Sequence, residues 1–387
     1  MADPKSHHPC QEAISNAQTP EELDLPIINP LNLEKAEQTA DMIDNVFAHS
    51  GYNARRLAEA AQLYSRMIQN DATICLTLAG AMTPIGMSGV VNSLIRAGFI
   101  DCIISTGANL YHDLHRPFNS PMMQGYFAVD DNELAETGIA RIYDVFIEDQ
   151  DTLMATDKII LETVERMDLT KPLSSAELHH ALGKEIAKFA DRPDWSMLVT
   201  ATEHDVPIYT PAPGDSSIAM NLAVPHMFGK TIQLDPLKDV IETAAIVRDA
   251  DRNGVVVVGG GSPKNFYFQT QPTLQQIFKD YSSGGHDYVI QLTTDAPHWG
   301  GLSGATISEA KSWGKVKDAL SNHVVVYSCA SLTLPLLAQY VLIRNRPRPG
   351  KKLFTRLPEI TDQLYQTVRN NPKFHKSLEQ FANCYDI

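Results

Sequence analysis

The sequence predicts an α/β protein built on a mostly parallel, Rossmann-like sheet with helices on both faces. Short apolar segments rich in β-branched residues recur between about residues 71 and 330, and they are continuous rather than alternating, as in strands buried on both faces. Stretches of helical length separate them, which is typical of parallel strands joined by crossover helices. The segments are ATICLTLAGA, FIDCIISTGA, DWSMLVTATEHDVPIYTPAP, GVVVVGGGS, HDYVIQLTTDA and NHVVVYSCAS.

Helical segments are expected on both sides of this sheet. Residues 1–30 are polar and Pro-rich, and they are expected to form a flexible arm. Helical periodicity on both sides of Gly51 predicts two helices after the arm. Residues 346–387 begin with the basic segment RPRPGKK and are expected to form a helical tail. The intervening residues 31–345 are expected to form one main domain.

Charge and composition exclude several classes of function. The 387 residues include 46 acidic and 32 basic side chains, and the formal charge of -14 disfavours nucleic acid as a partner. No apolar segment approaches the roughly 20 residues of a membrane span, and the N-terminus lacks the apolar core of a signal peptide. Five scattered cysteines without CxxC spacing indicate reduced thiols. We therefore expect a cytoplasmic protein without membrane contact and without a metal site.

Four of the predicted strands end in turns rich in glycine or other small residues, AGAMTPIGMSG, STGAN, PAPGDSS and GGGSPKN. In open α/β sheets ligands bind beyond the carboxyl ends of the strands, where small residues let backbone amides approach phosphates. The turns therefore indicate a nucleotide site. None of them matches GxGxxG, so ordinary strand-to-helix turns explain them equally well.

The segment ISEAKSWGKV contains a lysine, Lys315, directly after a glycine in a stretch with helical character. Most lysines on helices face water, so Lys315 alone predicts only a surface charge. A desolvated lysine with a lowered pKa is instead a nucleophile that can form an imine. Local sequence leaves both interpretations open.

Six segments, in order along residues 28–345, resemble the deoxyhypusine synthase family: GYNARRLAEAAQLYSRMI, LAGAMTPIGMSGVV, FIDCIISTGANLYHDL, PIYTPAPGDSS, VVVVGGGSPKNF and ISEAKSWGKV. The sequence is most similar to the bacterial deoxyhypusine synthase-like proteins. The resemblance implies an NAD-dependent transferase of polyamine metabolism, with residues 31–345 as its NAD-binding catalytic domain. It implies NAD used without net redox change, an aminobutyl group carried as an imine on Lys315, and a homotetramer with sites at a dimer interface.

The resemblance also assigns roles to individual residues. Lys315 is the implied catalytic nucleophile, Glu309 can hold a cationic substrate or move protons, and Trp313 can cover the alkyl chain of that substrate. Asp215 either caps the helix that follows it or accepts a hydrogen bond from a ribose hydroxyl. The positions that match the family's NAD contacts are Thr83, Pro84, Ile85, Gly86, Met87, Thr106, Gly107, Ala108, Asp215, Gly260, Thr294, Asp295, Cys329 and Ala330.

Several positions depart from the family pattern at the end of the site that binds the polyamine. Tyr111 and His112 replace consecutive carboxylates, and Met220 and Leu302 replace two aspartates. Asn265 replaces a histidine that assists proton removal, and an amide cannot act as a base at pH 7. His112 and His298 are the candidates for that base, and a structural role is the alternative for each.

These departures favour a changed substrate. The aromatic side chains of Tyr111 and Trp299 can stack on a planar guanidinium, or they can simply fill the space that charged side chains occupy in the family. We therefore expect a small acceptor, putrescine or agmatine, and a homospermidine-type product in place of the family's reaction with spermidine. The alternative enzyme is an authentic deoxyhypusine synthase that modifies a protein lysine. The alternative of another class, an inactive NAD-binding structural or regulatory oligomer, is disfavoured by the retention of Lys315 and Glu309.

Overall fold

A six-stranded sheet, in which every pairing is parallel, lies at the centre of the computed structural model. The strands of the chain are β1 (Thr73–Leu78), β2 (Cys102–Ser105), β3 (Met122–Gln124), β4 (Ile139–Ile142), β5 (Val145–Glu148), β6 (Ile208–Tyr209), β7 (Asn253–Val258), β8 (Tyr288–Thr293) and β9 (His323–Tyr327). The central sheet has the order β6-β2-β1-β7-β8-β9, which confirms the predicted Rossmann-like architecture. The remaining strands form a small antiparallel sheet of order β3-β5-β4.

The structure describes residues 39–167, 171–317 and 322–379, together with residues 17, 19, 22, 23, 27 and 29. Most of the predicted arm, residues 1–30, and the beginning of the first predicted helix lie outside the described residues. The division of the chain at residues 30 and 345 stays a prediction.

Fifteen α-helices within the described ranges surround the two sheets. They are α1 (Thr39–Asn45), α2 (Tyr52–Gln69), α3 (Ser88–Arg96), α4 (Gly107–His112), α5 (Asp131–Glu136), α6 (Ala155–Glu165), α7 (Ser175–Phe189), α8 (Met197–Glu203), α9 (Ser217–Met227), α10 (Pro236–Asp249), α11 (Gly261–Pro272), α12 (Ile307–Ser312), α13 (Ala330–Arg344), α14 (Leu353–Arg369) and α15 (Pro372–Leu378). None of these helices is both long enough and apolar enough to span a membrane.

Alternate residues of the central strands pack into two different cores, one on each face of the sheet. Val256 and Val258 of β7 belong to the core that contains residues of α2, α3, α8 and α13. Val255 and Val257 belong to the opposite core, with residues of α10, α11 and α14. Burial on both faces is the physical reason for the continuous apolar segments in the sequence.

The strand order reverses between β1 and β7. The chain runs from β1 to β2 and β6 on one side and then returns to β7 on the other side of β1. The loops after β1 and β7 therefore lie side by side, and a Cβ built on Gly259 would lie 3.5 Å from the Cβ of Ala79. Such a reversal opens a crevice at the carboxyl edge of the sheet, where dinucleotides bind in this architecture.

One predicted strand segment, residues 194–213, is mostly helical. The strand within it is only the two-residue β6, because the apolar residues that precede it form α8. Ser196 caps that helix, and the buried Asp113 carboxylate accepts hydrogen bonds from the amides of Met197 and Leu198 at 2.9 and 3.0 Å. This carboxylate at the helix N-terminus stabilises a helix that the apolar sequence alone does not indicate.

The tail contains the predicted pair of helices, α14 and α15. Leu353, Leu357, Ile360 and Leu364 of α14 pack into the same core as residues of α10. The preceding linker is fixed by Arg348, whose Nη2 donates to the buried Asp101 carboxylate at 2.6 Å. The tail helix α14 is thus part of the packed structure.

The thiols differ in exposure. Cys75 and Cys102 are free and buried, and they face each other across the pairing of β1 with β2. Cys329 is also free, but it is exposed in the turn after β9, although the apolar segment before it is typical of a buried thiol. No cluster of three or more His, Cys, Asp or Glu side chains suited to a metal ion occurs in the part of the chain that the structure describes.

Candidate active site

Lys315, Glu309, Trp313 and Asn265 line one cavity of about 180 Å³. The cavity lies between α11 and α12, and the segment that joins β8 to α12 forms a further wall. Its other lining residues are Lys264, Phe268, Leu302, Ala305, Thr306, Ile307 and Ala310. The structure therefore brings together the implied nucleophile, the implied substrate carboxylate and the residue at the family's histidine position.

A glycine turn sets the position of Lys315. Helix α12 ends at Ser312, and Gly314 adopts a left-handed φ of 66°. The amide of Gly314 donates to the carbonyl of Lys311 at 2.9 Å, and the amide of Lys315 donates to that of Ala310 at 3.0 Å. These are the two hydrogen bonds of a Schellman motif, which ends a helix and reverses the chain direction. The helical character expected around Lys315 is therefore wrong at that residue, because the lysine lies beyond the helix end.

The environment of Lys315 favours its neutral, nucleophilic form. Its side chain is half-buried in the cavity wall, and its Nζ lies 5.5 Å from the centre of the Trp313 ring. Burial lowers the pKa of Lys315, while the Glu309 carboxylate partly opposes this effect. A lowered pKa increases the fraction of free amine at neutral pH, which is what imine formation requires.

A second lysine in the same wall, Lys264, was missed by the sequence analysis. Its side chain is only 6% exposed, and its Nζ donates to the Ala305 carbonyl at 2.6 Å and to Gln291 Oε1 at 3.0 Å. Longer contacts of 3.4 and 3.5 Å reach the carbonyls of Leu302 and Ser303. Burial lowers the pKa of Lys264 to about 8, and the nearby Lys315 charge acts in the same direction. The sequence does contain a signal for this residue, because the lysine stands in the first helical turn after GGGSP. The helix dipole disfavours a cation there, so a lysine at this position needs hydrogen-bond acceptors from outside its own helix.

The glycine turn after β7 contacts the loop that Lys264 holds. A Cβ on Gly260 would lie 2.5 Å from Ser303 Cα, so only glycine fits at this position. The amide of Gly261 donates to Ser303 Oγ at 2.9 Å. The predicted cofactor turn and the lysine cavity therefore share one wall, the loop of residues 302–305.

All the predicted cofactor positions lie after carboxyl ends of strands of the central sheet. Thr83, Pro84, Ile85, Gly86 and Met87 follow β1, and Thr106, Gly107 and Ala108 follow β2. Asp215 follows β6, Gly260 follows β7, Thr294 and Asp295 follow β8, and Cys329 and Ala330 follow β9. The predicted cofactor residues therefore lie at one edge of the sheet, and their roles in binding NAD stay predictions.

The chemistry of this edge fits a dinucleotide. A Cβ on Gly107 would lie 2.4 Å from Ser216 Cβ, so the missing side chain lets the Asp215 loop approach the turn after β2. Helix α9 begins without a side-chain hydrogen bond from its N-cap, Ser216. Within the described ranges the exposed Asp215 carboxylate has no hydrogen-bond partner of its own, which leaves it available to a ribose hydroxyl. Gly259 and Gly261 in the turn after β7 have left-handed φ values of 70° and 57°, a conformation that glycine adopts without strain and that suits a turn with exposed backbone amides.

Two residues that the sequence analysis missed hold the turn after β1. Asn109 Oδ1 accepts from the amides of Met82 and Thr83 at 2.9 and 3.2 Å. The buried Arg116 donates from Nη1 to the Thr83 carbonyl at 2.6 Å. Since Thr83 also donates from its hydroxyl to the Asn109 carbonyl at 2.7 Å, its side chain supports the turn.

Tyr111, His112 and Trp299 are not brought into the lysine cavity of their own chain. The buried Tyr111 donates from its hydroxyl to Asp157 at 2.9 Å, and His112 Nδ1 lies 2.9 Å from Nε2 of His115. Burial lowers the pKa of His112 to about 4, with a smaller effect from the Arg116 charge, which fits a structural histidine. Trp299 is 74% exposed. The proposed substrate roles of these three residues stay predictions.

Comparison with known proteins places these features in context. The family model for deoxyhypusine synthase matches residues 41–341. A deoxyhypusine synthase-like protein from a Nostoc species is 42% identical over 358 residues, covering 89% of this chain and 92% of that relative. A protein from Methanosarcina acetivorans named probable deoxyhypusine synthase 2 is 39% identical over 305 residues, covering 79% and 86% of the two chains. A solved deoxyhypusine synthase homologue from Entamoeba histolytica superimposes with a TM-score of 0.54 at 15% identity, covering 84% of this chain and 100% of its own, and it supports the fold.

Replacing Lys264 tests its role in holding the cavity wall. Lys264→Met keeps the length of the side chain but leaves buried carbonyl oxygens without their donor, so we expect the free energy of unfolding in urea to fall by about 1–3 kcal/mol. The matched control is Lys184→Met on α7, where the lysine is exposed. Equal stability of the Lys264→Met variant and the unmodified protein contradicts the assignment.

Proposed function

The chain belongs to the deoxyhypusine synthase family, and we propose that it transfers an aminobutyl group to a small amine through an imine on Lys315. Members of the family are NAD-dependent aminobutyl transferases, so the protein is a transferase and NAD is its cofactor. The observation that carries the proposal is the half-buried amine of Lys315, which shares a cavity with the Glu309 carboxylate. That cavity adjoins the glycine turn of the cofactor edge through residues 302–305.

The chain's own residues account for the transfer steps. NAD, when bound, supplies reversible oxidation and reduction of a carbon–nitrogen bond, so the overall transfer has no net redox change. The neutral amine of Lys315 adds to the imine carbon of the donor, a new C–N bond forms, and the donor's other amine leaves with a proton as the old C–N bond breaks. The acceptor amine then adds to the same carbon and displaces Lys315, whose free amine is restored. Glu309 is placed to hold the cationic substrate and to exchange protons in both steps.

The charges of the cavity support a small acceptor. Among the described residues that line it, Glu309 is the one carboxylate, and the amine of Lys264 lies in the same wall. Met220 and Leu302, which stand at family aspartate positions, are exposed and supply no charge. Each missing charged hydrogen bond is worth about 1.5–3 kcal/mol to a remote ammonium, so spermidine loses more than putrescine or agmatine. Tyr111 adds little support because its hydroxyl is already bonded to Asp157. Trp299 adds little as well, because its exposed ring packs against His298 outside the cavity of its own chain.

The exposed apolar surface of α9 supports an oligomer. Met227 and Phe228 are each 82% exposed, and Met220 and Val224 lie on the same segment. Exposed apolar side chains in this number are typical of a covered interface. They follow Asp215 directly in the chain, so a second subunit on this surface lies beside the cofactor edge. We propose a homotetramer with sites at a dimer interface.

The buried free thiols of Cys75 and Cys102 support a reducing, cytoplasmic location.

Substitution of Lys315 tests the nucleophile. We expect Lys315→Ala and Lys315→Arg to abolish product, measured by mass spectrometry of amine mixtures with NAD, because arginine stays protonated and forms no imine. The control is Lys317→Arg, which keeps the ion pair with Asp287. Substantial product from Lys315→Arg shows that the lysine is structural.

The acceptor is tested by offering putrescine, agmatine and the translation-factor precursor protein in separate reactions with a common aminobutyl donor. We expect transfer to the small amines, because Glu309 is the single carboxylate among the described residues of the cavity. Efficient modification of the protein lysine, without transfer to any small amine, identifies the chain as an authentic deoxyhypusine synthase instead.

The role of Asp215 is tested by equilibrium binding of NAD. Asp215→Ala removes a carboxylate available to the ribose, so we expect the dissociation constant for NAD to rise roughly tenfold, as for one charged hydrogen bond. Asp251→Ala is the matched control, since this exposed carboxylate precedes β7 at the opposite edge of the sheet. Unchanged NAD affinity of the Asp215→Ala variant refutes the assignment.

A further inference from the structure

The loop of residues 283–287, directly before β8, holds the backbone of residues 314–317, the lysine segment. The amide of His286 donates to the carbonyl of Lys315 at 2.9 Å, and the amide of Lys317 donates to the carbonyl of His286 at 3.0 Å. These two hydrogen bonds form an isolated parallel β-bridge. No residue of this loop lines the Lys315 cavity, so the bridge fixes the nucleophile from outside its pocket.

The loop and the lysine segment approach too closely for a side chain at Gly285. A Cβ there would lie 2.8 Å from the carbonyl carbon of Val316 and 2.9 Å from the amide nitrogen of Lys317, and the left-handed φ of 109° also favours glycine. Lys317 forms an ion pair with Asp287 at 2.7 Å, and Asp287 accepts from the amide of Asn253 at 3.0 Å. The lysine segment is therefore fixed to the start of β7 as well as to the loop.

The residue before the nucleophile is held as well. Gln275, just after α11, donates to the carbonyl of Gly314 at 3.3 Å and to Oε1 of Gln271 at 3.0 Å. The same oxygen of Gln271 accepts from the amide of Gly285 at 3.0 Å, so the loop and the turn share one buried side chain. The backbone on both sides of Lys315 is therefore anchored near the end of α11.

The side chain of His286 anchors the loop itself. It is fully buried, and its ring stacks on Tyr267 with centroids 4.3 Å apart and an interplanar angle of 18°. The ring of Phe268 lies edge-on to it, with centroids 5.5 Å apart. Nδ1 of His286 lies 2.6 Å from Oδ1 of Asn253, and since an amide oxygen only accepts, Nδ1 is the donor. Burial lowers the pKa of His286 to about 3, so the ring stays neutral and serves as an anchor rather than as a proton carrier.

We propose that His286 is a positioning residue, which acts through its backbone bridge to hold the Lys315 amine in the cavity beside Glu309. The inference rests on the proposed role of Lys315 as the nucleophile. Lys315 lies beyond the end of α12, so its carbonyl has no helical partner and the His286 amide supplies the donor. Position matters here, because a displacement of about 1 Å can lower the rate of a positioned reaction about 100-fold.

Steady-state kinetics of the full chain with NAD, an aminobutyl donor and putrescine test the proposal. His286→Ala removes the anchoring ring but keeps the backbone groups of the bridge. We expect kcat to fall roughly tenfold or more, because the amine loses its fixed position, while KM for the amines and Kd for NAD change by less than about twofold. His286→Phe keeps the stack on Tyr267 and should restore most of kcat.

A second readout does not depend on transfer activity. Formaldehyde condenses with a free lysine amine to an imine with loss of water, and hydride from cyanoborohydride reduces this imine to an N-methyl group, which mass spectrometry locates in the digested protein. Lys315 should be methylated at lower pH than the exposed Lys184, because burial lowers the pKa of Lys315. Among the described residues, Glu309 on α12 and Lys264 on α11 are the charged groups that face this amine, and neither is changed. In His286→Ala the amine moves toward water, so the pH profile of Lys315 should rise to that of Lys184.

Two further variants separate positioning from stability. Gln275→Ala releases the turn before Lys315 from a half-buried position, so it should raise the pH profile of Lys315 without disturbing the core. His179→Ala, on α7, is the matched control, because His179 is only 2% exposed and its Nδ1 bonds to the Ile208 carbonyl at 2.8 Å. This change should lower the thermal midpoint and leave the profile of Lys315 unchanged.

Folded His286→Ala and Gln275→Ala proteins whose Lys315 profile and kcat match those of the unmodified protein overturn the proposal. If His286→Ala does not fold, Gln275→Ala decides by the same criterion. A raised Lys315 profile in these variants, when even the unmodified protein makes no product with any amine, supports the positioning role and refutes the proposed transfer instead.

Discussion

The pairing of β1 with β7 fixes the relative positions of the turns that form the candidate site. These two strands run parallel over six residues in the middle of the sheet, from the pair Thr73–Asn253 to the pair Leu78–Val258. All strands of this sheet are parallel, so every connection leaves the sheet at the same edge. The reversal of strand order at this pairing places the turns after β1 and β7 side by side, at the position where dinucleotides bind in this architecture.

One buried ammonium then connects this edge to the cavity that contains Lys315. Lys264 lies in the first turn of α11, directly after the glycine turn, and its hydrogen bonds hold residues 302–305. Those residues touch Gly260 and Gly261 on one side and line the Lys315 cavity on the other. Lys264 thus links the cofactor edge to the wall of the Lys315 cavity.

The sequence predicted the elements whose signal is local. Continuous apolar segments identified the central strands, and Gly51 marked the boundary between α1 and α2. Residues 197–203 were predicted wrongly because the helix there depends on Asp113, more than 80 residues earlier in the chain. The antiparallel sheet of β3, β4 and β5 was not predicted, because its strands are too short to show a clear alternation of apolar and polar residues. Lys264 was missed because its hydrogen-bond acceptors are also distant in the chain, in β8 and in the loop before α12. Local sequence left Lys315 ambiguous, and the resemblance to a family, rather than periodicity, selected it.

The most direct test of the central claim is reduction with borohydride in the presence of NAD and an aminobutyl donor, followed by mass spectrometry of the digested protein. An imine on Lys315 becomes a stable secondary amine, so the account predicts that the peptide containing Lys315 gains the mass of one aminobutyl group, and only when NAD is present. A stable adduct on Lys264 instead, or no adduct under conditions in which product is formed, contradicts it.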